Sequence, residues 1–258
     1  MQTAAKTSKT AIVTGGSAGI GADTVRRLAR DGWRVITGAR RQERLDALAA
    51  ESPGQVFGLT LDVTDEASVA EFARQALDQS PDGVHLLVNN AGGALGVEKI
   101  EEAVVDKWQQ MYEKNVLGTL RMTMALLPAL EASGDGHVIN VGSIAGFETY
   151  PGGAGYTAAK HALRAMTQTL RKELLGRPIR VTEIAPGLVE TEFSLVRFDG
   201  DEDKAKNVYT GMQPLLGEDI ADAIAWAASR PSHVNIDEMV IRPRDQAAAT
   251  MIHRRPTD

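Results

Sequence analysis

Cysteine is absent from the sequence, which excludes disulfides, cysteine zinc sites and thiol nucleophiles. The five histidines lack a metal-ligand spacing such as HxxxH, so no metal site is expected. No run approaches the roughly 18 apolar residues of a membrane-spanning helix. The start of the chain also lacks the apolar core of a signal peptide. These absences lead us to expect a soluble, metal-free cytoplasmic protein with no membrane partner.

An excess of basic residues is missing too. The chain has 28 lysines and arginines against 34 aspartates and glutamates, a formal charge of −6, which argues against a nucleic-acid partner. Its 258 residues are 43% hydrophobic and 24% charged, as in ordinary soluble globular proteins. No repeat or Pro/Ser-rich linker divides the chain, so we expect one domain over residues 1–258.

Apolar runs and helical spacing alternate along the chain. Short runs rich in β-branched residues predict strands at about residues 10–16, 33–39, 55–63, 84–92, 137–143, 179–187 and 238–242. Recurring apolar positions predict helices from residue 20 and over 41–51, 65–79, 106–130, 154–175 and 217–230. The alternation predicts an α/β protein, a single-domain Rossmann fold whose doubly wound parallel sheet of about seven strands has helices on both faces. The polar residues 188–213 are expected to be irregular, and residues 1–8 flexible.

A glycine-rich stretch, TGGSAGIG (14–21), follows the first predicted strand and opens the first predicted helix. Gly15 allows a sharp turn, Gly19 lets the backbone approach a ligand, and Gly21 lets the helix pack closely. The helix would direct its free N–H groups at a phosphate. No lysine–serine/threonine pair follows, which excludes a P-loop, so the stretch favours a dinucleotide site over a purely structural turn.

Two arginines, Arg40 and Arg41, follow the second predicted strand, where an acidic residue would accept a hydrogen bond from a free ribose 2′-hydroxyl. An arginine can pair with a 2′-phosphate through two charge-assisted hydrogen bonds. The alternative is a solvated basic start to the next helix, which suits Arg41 better than Arg40. The pair favours NADP(H) over NAD(H) as the cofactor.

Tyr156 and Lys160 stand four residues apart in a predicted helix, so they share one face of it. A free tyrosine has a pKa near 10, and a nearby ammonium lowers that pKa by charge attraction. A phenol tuned in this way can give a proton to a carbonyl oxygen or take one from an alcohol. The pair is therefore a candidate acid–base device for hydride transfer, with the hydride carried by a cofactor.

The motifs together resemble those of the short-chain dehydrogenase/reductase (SDR) family. They are TGGSAGIG (14–21), Asp62, NNAG (89–92), Asn115, Ser143, YTAAK (156–160) and PG-x-x-x-T (186–191), and they span nearly the whole chain in the family's order. The amino-acid sequence of residues 186–209 and 233–243 is similar to that of one branch of the family. That branch contains NADP-dependent 3-hydroxy acid dehydrogenases, which act on serine and allo-threonine, and a clavaldehyde reductase.

The resemblance implies four catalytic residues. Tyr156 would be the general acid/base, and Lys160 would lower its pKa and hold the nicotinamide ribose. Ser143 would orient the substrate carbonyl, and Asn115 would anchor a water in the proton path. Taken alone, Ser143 could be a strand-end hydroxyl that caps a turn, and Asn115 a residue at a helix bend.

The resemblance also implies the residues that contact the cofactor. They are Gly15, Ser17, Ala18, Gly19, Ile20, Gly21, Arg40, Arg41, Asp62, Val63, Asn89, Ala91, Gly92, Tyr156, Lys160, Pro186, Gly187, Val189 and Thr191. Asp62 would bind the adenine amino group, with a helix cap as its alternative role. The segment from Pro186 to Thr191 would meet the nicotinamide carboxamide.

Residues 188–213 would form a flap over the substrate in this fold. A carboxylate substrate would need an arginine partner. Arg197 is our candidate, with Arg242 and Arg244 behind it, although each could be a solvated or interface arginine. Phe147 and Tyr150 are expected to wall the substrate pocket, with ordinary loop packing as the alternative.

The sequence thus predicts an NADP(H)-dependent oxidoreductase for a small-molecule substrate, a 3-hydroxy acid/3-oxo acid pair. One alternative is the same chemistry on a different ketone or aldehyde. Another is a sensor that binds NADP(H) without turnover, and the presence of both Tyr156 and Lys160 argues against it. The resemblance alone implies a homotetramer.

Overall fold

The computed structural model describes residues 9–256, so the expected flexibility of residues 1–8 lies outside the described residues. Within them the strands are β1 (Thr10–Thr14), β2 (Arg34–Ala39), β3 (Val56–Thr60), β4 (Val84–Asn89), β5 (Gly136–Val141), β6 (Ile179–Pro186), β7 (Val189–Glu190), β8 (Leu215–Leu216) and β9 (Glu238–Ile241). Seven of them form one parallel sheet in the order β3-β2-β1-β4-β5-β6-β9, which confirms the predicted doubly wound sheet. The short strands β7 and β8 pair separately.

The helices cover both faces of the sheet. They are α1 (Gly19–Arg30), α2 (Gln42–Ala50), α3 (Glu66–Asp78), α4 (Val105–Tyr112), α5 (Gly118–Ala132), α6 (Ala154–Glu173), α7 (Glu192–Arg197), α8 (Glu202–Asn207) and α9 (Gly217–Ala228). One apolar layer joins β-strand side chains to α1 and α9, and the other joins them to α3 and α5. Strands with both faces buried read as continuous apolar runs, which is why the sequence predicts them well.

The strand order reverses between β1 and β4, because β2 and β3 lie on one side of β1 while β4 and β5 lie on the other. In open α/β sheets ligands bind in the crevice outside the carboxyl ends of the strands at such a point. The glycine-rich stretch and the segment after β4 meet there.

Two expectations about regular structure need correction. Residues 188–213 are not irregular, because they contain β7, α7 and α8. Thr191 and Asp201 begin the two helices, since their side chains accept hydrogen bonds from the Phe193 and Lys204 amides at 3.2 and 3.0 Å. The helix expected over 106–130 is divided into α4 and α5 by a π-helical segment, Glu113–Leu117.

Candidate active site

A cavity of about 680 Å³ opens at the carboxyl ends of the strands. Its floor is formed by the segments after β1, β2, β4, β5 and β6, and its roof by residues of α7, the stretch that follows it and the C-terminal tail. Most of the predicted site residues line it: Gly15, Ser17, Ala18, Gly19, Ile20, Arg40, Arg41, Asp62, Val63, Ala91, Gly92, Ser143, Tyr150, Tyr156, Lys160, Pro186, Gly187, Val189, Thr191 and Arg197.

The glycine-rich turn has the geometry that a phosphate site needs. Gly15 and Gly19 have φ values of +73° and +51°, in the region that side chains with a Cβ rarely adopt. The helix α1 begins at Gly19, and its N-cap residue Ala18 supplies no side-chain acceptor, so the first amides of the helix have no cap. A diphosphate fits this end of the cavity, because it would accept hydrogen bonds from those amides. Its negative charge would also be stabilised by the positive end of the helix dipole.

Gly21 does not line the cavity, although it belongs to the same turn. A Cβ at this position would lie 2.3 Å from the Gly15 carbonyl oxygen and 2.5 Å from Asn90 Nδ2. The residue therefore serves close packing of α1 against the turn, which is the role its position in the motif predicts.

The far end of the cavity is basic. Arg40, Arg41 and Lys114 all line it. Arg41 donates hydrogen bonds to Ser17 Oγ at 3.0 and 3.3 Å and pairs with Glu192 of α7 at 3.1 Å. Burial lowers the pKa of Lys114, and the charge of Arg40 lowers it further. Lys114 directly precedes Asn115 but was not singled out from the sequence, because its place at the basic end depends on the π-helical segment that contains it.

Asp62 lies beside this basic end. Its Oδ1 accepts hydrogen bonds from the Thr64 amide at 3.0 Å and the Thr64 hydroxyl at 2.7 Å. Burial raises the pKa of Asp62, but the Thr64 hydrogen bonds and the charges of Arg40 and Lys114 outweigh it, so the pKa lies below its usual range. The carboxylate does not cap α3, since Asp65 does so by accepting from two amides.

Asn89 and Asn90 differ from the prediction. Asn89 is buried away from the cavity, and its amide donates to Thr123 Oγ1 and Asn140 Oδ1 at 3.1 and 2.9 Å. Asn90 lines the cavity instead and donates to the Thr14 and Gly15 carbonyls. Alternation of side chains along β4 explains the exchange, because only every second residue faces the crevice. The alternation of side chains along the predicted strand could therefore have shown that Asn90, and not Asn89, faces the crevice.

Tyr156, Lys160 and Ser143 meet at the inner end of the cavity. Tyr156 and Lys160 are 8% and 6% exposed, and the Lys160 ammonium lies 5.8 Å from the Tyr156 ring centroid. The ammonium donates a hydrogen bond of 2.9 Å to the Val141 carbonyl at the end of β5. Ser143 begins the next turn, where its hydroxyl accepts a hydrogen bond from the Ala145 amide at 3.1 Å and lies close enough to Tyr156 to affect its pKa.

The pKa of Tyr156 is shifted in the direction opposite to our prediction. Burial raises it above its usual range, and the Tyr150 phenol adds to the rise. The Ser143 hydroxyl and the charge of Arg197 lower the pKa of Tyr156 without offsetting burial. Lys160 is itself buried, which lowers its pKa to about 8. The prediction counted the charge of the ammonium but not the desolvation of the phenol, so in this structure Tyr156 is a protonated phenol at neutral pH.

Asn115 lies in the π-helical segment and does not line the cavity. Its side-chain amide donates to the Gly93 and Met111 carbonyls at 2.9 and 2.7 Å, and its oxygen accepts from the Gly93 amide at 3.2 Å. The residue holds the segment after β4 against the bend between α4 and α5. A π-helical turn is rare and often marks a functional site.

The flap side of the cavity contains Arg197 and two aromatic rings. Arg197 donates hydrogen bonds to the Gly96 and Gly152 carbonyls and to the Tyr150 hydroxyl at 3.1 to 3.3 Å. The ring of Phe193, which the sequence did not single out, packs edge-on against Tyr156 with centroids 5.5 Å apart. The structure places Arg197 and Tyr150 at the cavity, as predicted.

Phe147 does not meet the expectation that it walls the pocket. It is not among the cavity-lining residues, and the Arg164 guanidinium lies 4.0 Å from its ring centroid. Phe147 ends the short 3-10 turn Ile144–Gly146 and packs against α6, in agreement with the loop-packing alternative. Of the two further arginines, Arg242 pairs with Glu148 at 2.7 Å and Arg244 has an 84% exposed side chain.

The C-terminal tail is the largest part of the site that the sequence did not predict. Gln246, Ala249, Ile252 and Arg254 all line the cavity. Gln246 Oε1 accepts from the Leu188 amide at 2.9 Å, while its buried Nε2 has no hydrogen-bond partner among residues 9–256. The tail forms one isolated bridge and no helix, so no periodic pattern announces it.

Neither a membrane span nor a metal cluster is found in the described part of the chain. No helix of residues 9–256 is both long and apolar enough to cross a bilayer. Over the same residues, no group of three or more histidine and acidic side chains could hold a metal ion.

Comparison with known proteins finds a matching family model and close relatives in sequence. A family model described as short chain dehydrogenase matches residues 9–201. The chain is 55% identical over 250 residues to an uncharacterized oxidoreductase of Mycobacterium tuberculosis, with 97% of each chain covered. It is 42% identical over 245 residues to an NADP-dependent 3-hydroxy acid dehydrogenase of Salmonella typhi, covering 94% of this chain and 98% of that one.

A solved structure shares the whole architecture. It is described as the closed form of serine dehydrogenase complexed with NADP+, and it superposes with a TM-score of 0.90 at 40% identity. The likeness covers 95% of this chain and 100% of that one. The resemblance noted from the motifs is confirmed by these matches.

Proposed function

Because the chain belongs to the short-chain dehydrogenase family and is an oxidoreductase acting on CH–OH groups with a nicotinamide cofactor, we propose that it is specific for NADP(H) and for small 3-hydroxy acids. The reaction interconverts the 3-hydroxy acid and its 3-oxo acid. The observation that carries the proposal is one cavity that joins a basic end, a buried phenol and an arginine 6.0 Å from the ring of that phenol.

Chemically, reduction of a carbonyl needs a hydride at carbon and a proton at oxygen. The nicotinamide supplies the hydride when it is bound. Tyr156 is the proton donor, since burial keeps its phenol protonated at neutral pH. As the C=O double bond opens, the O–H bond of Tyr156 breaks and its proton moves to the former carbonyl oxygen. In the oxidative direction the same phenolate takes the proton back.

Ser143 and Lys160 prepare this step. The Ser143 hydroxyl lines the cavity beside Tyr156, where it can donate a hydrogen bond to the substrate's carbonyl oxygen and orient it. The Lys160 ammonium is close enough to the phenol to stabilise a phenolate as it forms. While hydrogen-bonded to the Val141 carbonyl, the same ammonium would also donate hydrogen bonds to the nicotinamide ribose hydroxyls.

Specificity for NADP(H) is supported by the basic end of the cavity. Arg40 and Arg41 stand where an acid would reject a 2′-phosphate, and Lys114 adds a third positive charge. The Arg41–Ser17 contacts show that a guanidinium and a hydroxyl already converge there. The serine dehydrogenase structure and the Salmonella relative are described with NADP, which supports the same choice.

A carboxylate on the substrate is supported by Arg197. A guanidinium has five N–H donors, and the contacts of Arg197 with Gly96, Tyr150 and Gly152 use three of them. Two donors are left for a carboxylate. Three fixed contacts also hold the guanidinium at one place, 6.0 Å from the Tyr156 ring centroid, so the distance between carboxylate and reacting carbon selects a short substrate.

The test is an absorbance screen at the reduced-nicotinamide band. Purified protein with NADP is given L-serine, allo-threonine, 3-hydroxyisobutyrate, and the matching alcohols without a carboxylate. We expect turnover of one or more hydroxy acids and a loss of about 100-fold in kcat/KM for the alcohols, as a lost charge-assisted contact implies. An Arg197→Met variant should remove that preference. Turnover of bulky alcohols alone would overturn the hydroxy-acid assignment and leave the family chemistry intact.

A further inference from the structure

Glu183 of β6 is a buried carboxylate that the reaction described above does not use. The residue is 1% exposed, and neither carboxylate oxygen has a hydrogen-bond partner among residues 9–256. A buried carboxylate without partners is costly and calls for a specific reason. From the sequence, Glu183 was expected only to be part of a strand.

The carboxylate lies directly beneath the catalytic turn. Glu183 pairs in register with Asn140 of β5, so it stands just before the residues that end that strand. A Cβ placed on Gly142 would lie 2.2 Å from Glu183 Oε1. Gly142 separates Val141, whose carbonyl accepts from Lys160, from Ser143, so only a glycine leaves room for the carboxylate at this turn.

The charged groups that face Glu183 come from two elements. Lys160, Arg164 and Arg171 come from α6, and Glu238 comes from the neighbouring strand β9. Arg164 is already paired with Glu238 at 3.0 Å, and Arg171 with Asp237 at 3.3 Å. Within the described residues the Lys160 ammonium bonds only a neutral carbonyl. It is therefore the buried cation whose charge is left for Glu183 to balance.

The acid–base properties of the two groups agree with this arrangement. Burial raises the pKa of Glu183 to about 7, with a further rise from Glu238 and a lowering by Arg164, Lys160 and Arg171. Burial lowers the pKa of Lys160 to about 8, and the charge of Glu183 raises it. Each group thus favours the charged form of the other, and both change charge close to neutral pH.

We propose that Glu183 is a positioning residue for the active site, which keeps the Lys160 ammonium charged and seated on the Val141 carbonyl at the pH of turnover. It touches neither substrate nor nicotinamide and acts through Lys160. The inference rests on the proposed role of Lys160 beside Tyr156. A neutral residue at 183 leaves the ammonium buried without a counter-charge, so the ammonium loses its proton at a lower pH.

The test compares pH profiles of kcat/KM for the intact enzyme and for Glu183→Gln, which keeps the shape and removes the charge. We expect the alkaline limb of the variant's profile to move to a pH about one unit lower. At pH values above the limb, kcat/KM of the variant should then be roughly tenfold below that of the intact enzyme. Activity near pH 6 should change little. Glu173→Gln is the control, since it removes an exposed carboxylate at the far end of α6, the helix that carries Lys160, and its alkaline limb should stay in place.

A second variant and a second readout keep the test decisive. Glu183→Met is also neutral and of similar volume, so it should move the limb in the same direction even where the amide variant folds poorly. Fluorescence titration of NADPH across the same pH range should show the same acid-ward shift in affinity. An equal loss of activity at every pH, with the limb and the NADPH profile unmoved, would overturn the inference. Lack of hydride transfer by the unmodified protein would instead overturn the proposed function.

Discussion

The proposed preference for NADP(H) depends on the charges at the end of β2. Arg40 is close enough to Asp62 and Lys114 to shift both pKa values, and it lines the cavity. Arg41 divides its donors between Ser17 and Glu192. Arg40 is the better candidate for a 2′-phosphate, because none of its contacts competes for a bidentate pair.

Replacement of Arg40 by alanine should therefore weaken NADPH more than NADH. We expect a loss of about 10-fold or more in NADPH affinity and less than about 2-fold for NADH, since only NADPH has the phosphate. Fluorescence titration with both cofactors measures it. Arg44→Ala is the control, because Arg44 pairs with Glu192 at 2.7 Å but does not line the cavity. Equal losses of both cofactors in Arg40→Ala would refute the phosphate contact.

Residue identities at the site were predictable, but their environments were not. Tyr156, Lys160 and Ser143 follow from spacing and order, because a motif is a local property of the chain. The raised pKa of Tyr156 depends on burial by Phe193 and its neighbours, which come from a distant segment. The same limit applies to the proposed role of Glu183, which depends on its burial beside Gly142 and on the charge of Lys160 from another element.

At the scale of elements, the flap and the C-terminal tail form one wall. Arg254 donates hydrogen bonds to the Val208 carbonyl at 3.0 Å and to the Thr210 carbonyl. The Arg255 amide donates a hydrogen bond to the Gly211 carbonyl at 2.7 Å. Arg254 also lines the cavity, so the tail forms part of the cavity wall and holds the stretch after α8 in place.

Loss of the Arg254 side chain should loosen this wall. We expect Arg254→Ala to raise KM for the substrate by about 5-fold or more with a smaller change in kcat, because two hydrogen bonds of about 1 kcal/mol each are lost away from the reacting atoms. Steady-state kinetics and amide exchange of residues 208–211 measure it. Arg244→Ala, at an 84% exposed side chain, serves as the control. Unchanged KM and unchanged exchange in Arg254→Ala would contradict the shared wall.

Elements with a strong periodic pattern were predicted well, and those without one were not. The buried strands and amphipathic helices of the sheet layers follow from local apolar spacing. The helices α7 and α8 are six residues each and depend on the caps Thr191 and Asp201, so their polar composition predicts a loop instead. The tail has no pattern of its own and takes its shape from contacts with Glu148 and Gly211.

For the molecule as a whole, a buried histidine links stability to pH. His137 of β5 is 1% exposed, and its Nε2 lies 2.8 Å from Thr182 Oγ1. Burial holds its pKa well below the usual value, and the charges of Arg180 and Lys9 lower it further. Below about pH 6.5 the unfolded chain binds a proton at this residue that the folded chain refuses. Above that pH this histidine does not reduce the free energy of unfolding, and as the pH falls the free energy of unfolding falls with it.

The free energy of unfolding should thus fall on acidification by up to about 1.4 kcal/mol per pH unit from this group. His137→Gln should show a smaller fall between pH 7.5 and 5.5 than the unmodified protein, measured by urea unfolding at one protein concentration. His233→Gln, at an exposed site, should behave like the unmodified protein. A variant at 137 with an unaltered pH dependence would contradict the assignment.

The homotetramer implied by the family resemblance stays a prediction.

The central claim is that Tyr156 is the acid/base of a hydride transfer in this cavity. The most direct measurement is the rate of NADPH oxidation by Tyr156→Phe with an active substrate, set beside its affinity for NADPH. Tyr112→Phe, at a 45% exposed ring, is the control and should keep normal turnover. We expect kcat of Tyr156→Phe to fall by about 10³-fold while NADPH binds within about 3-fold of normal, because only the transferable proton is removed. Turnover of Tyr156→Phe at the unmodified rate would contradict the claim.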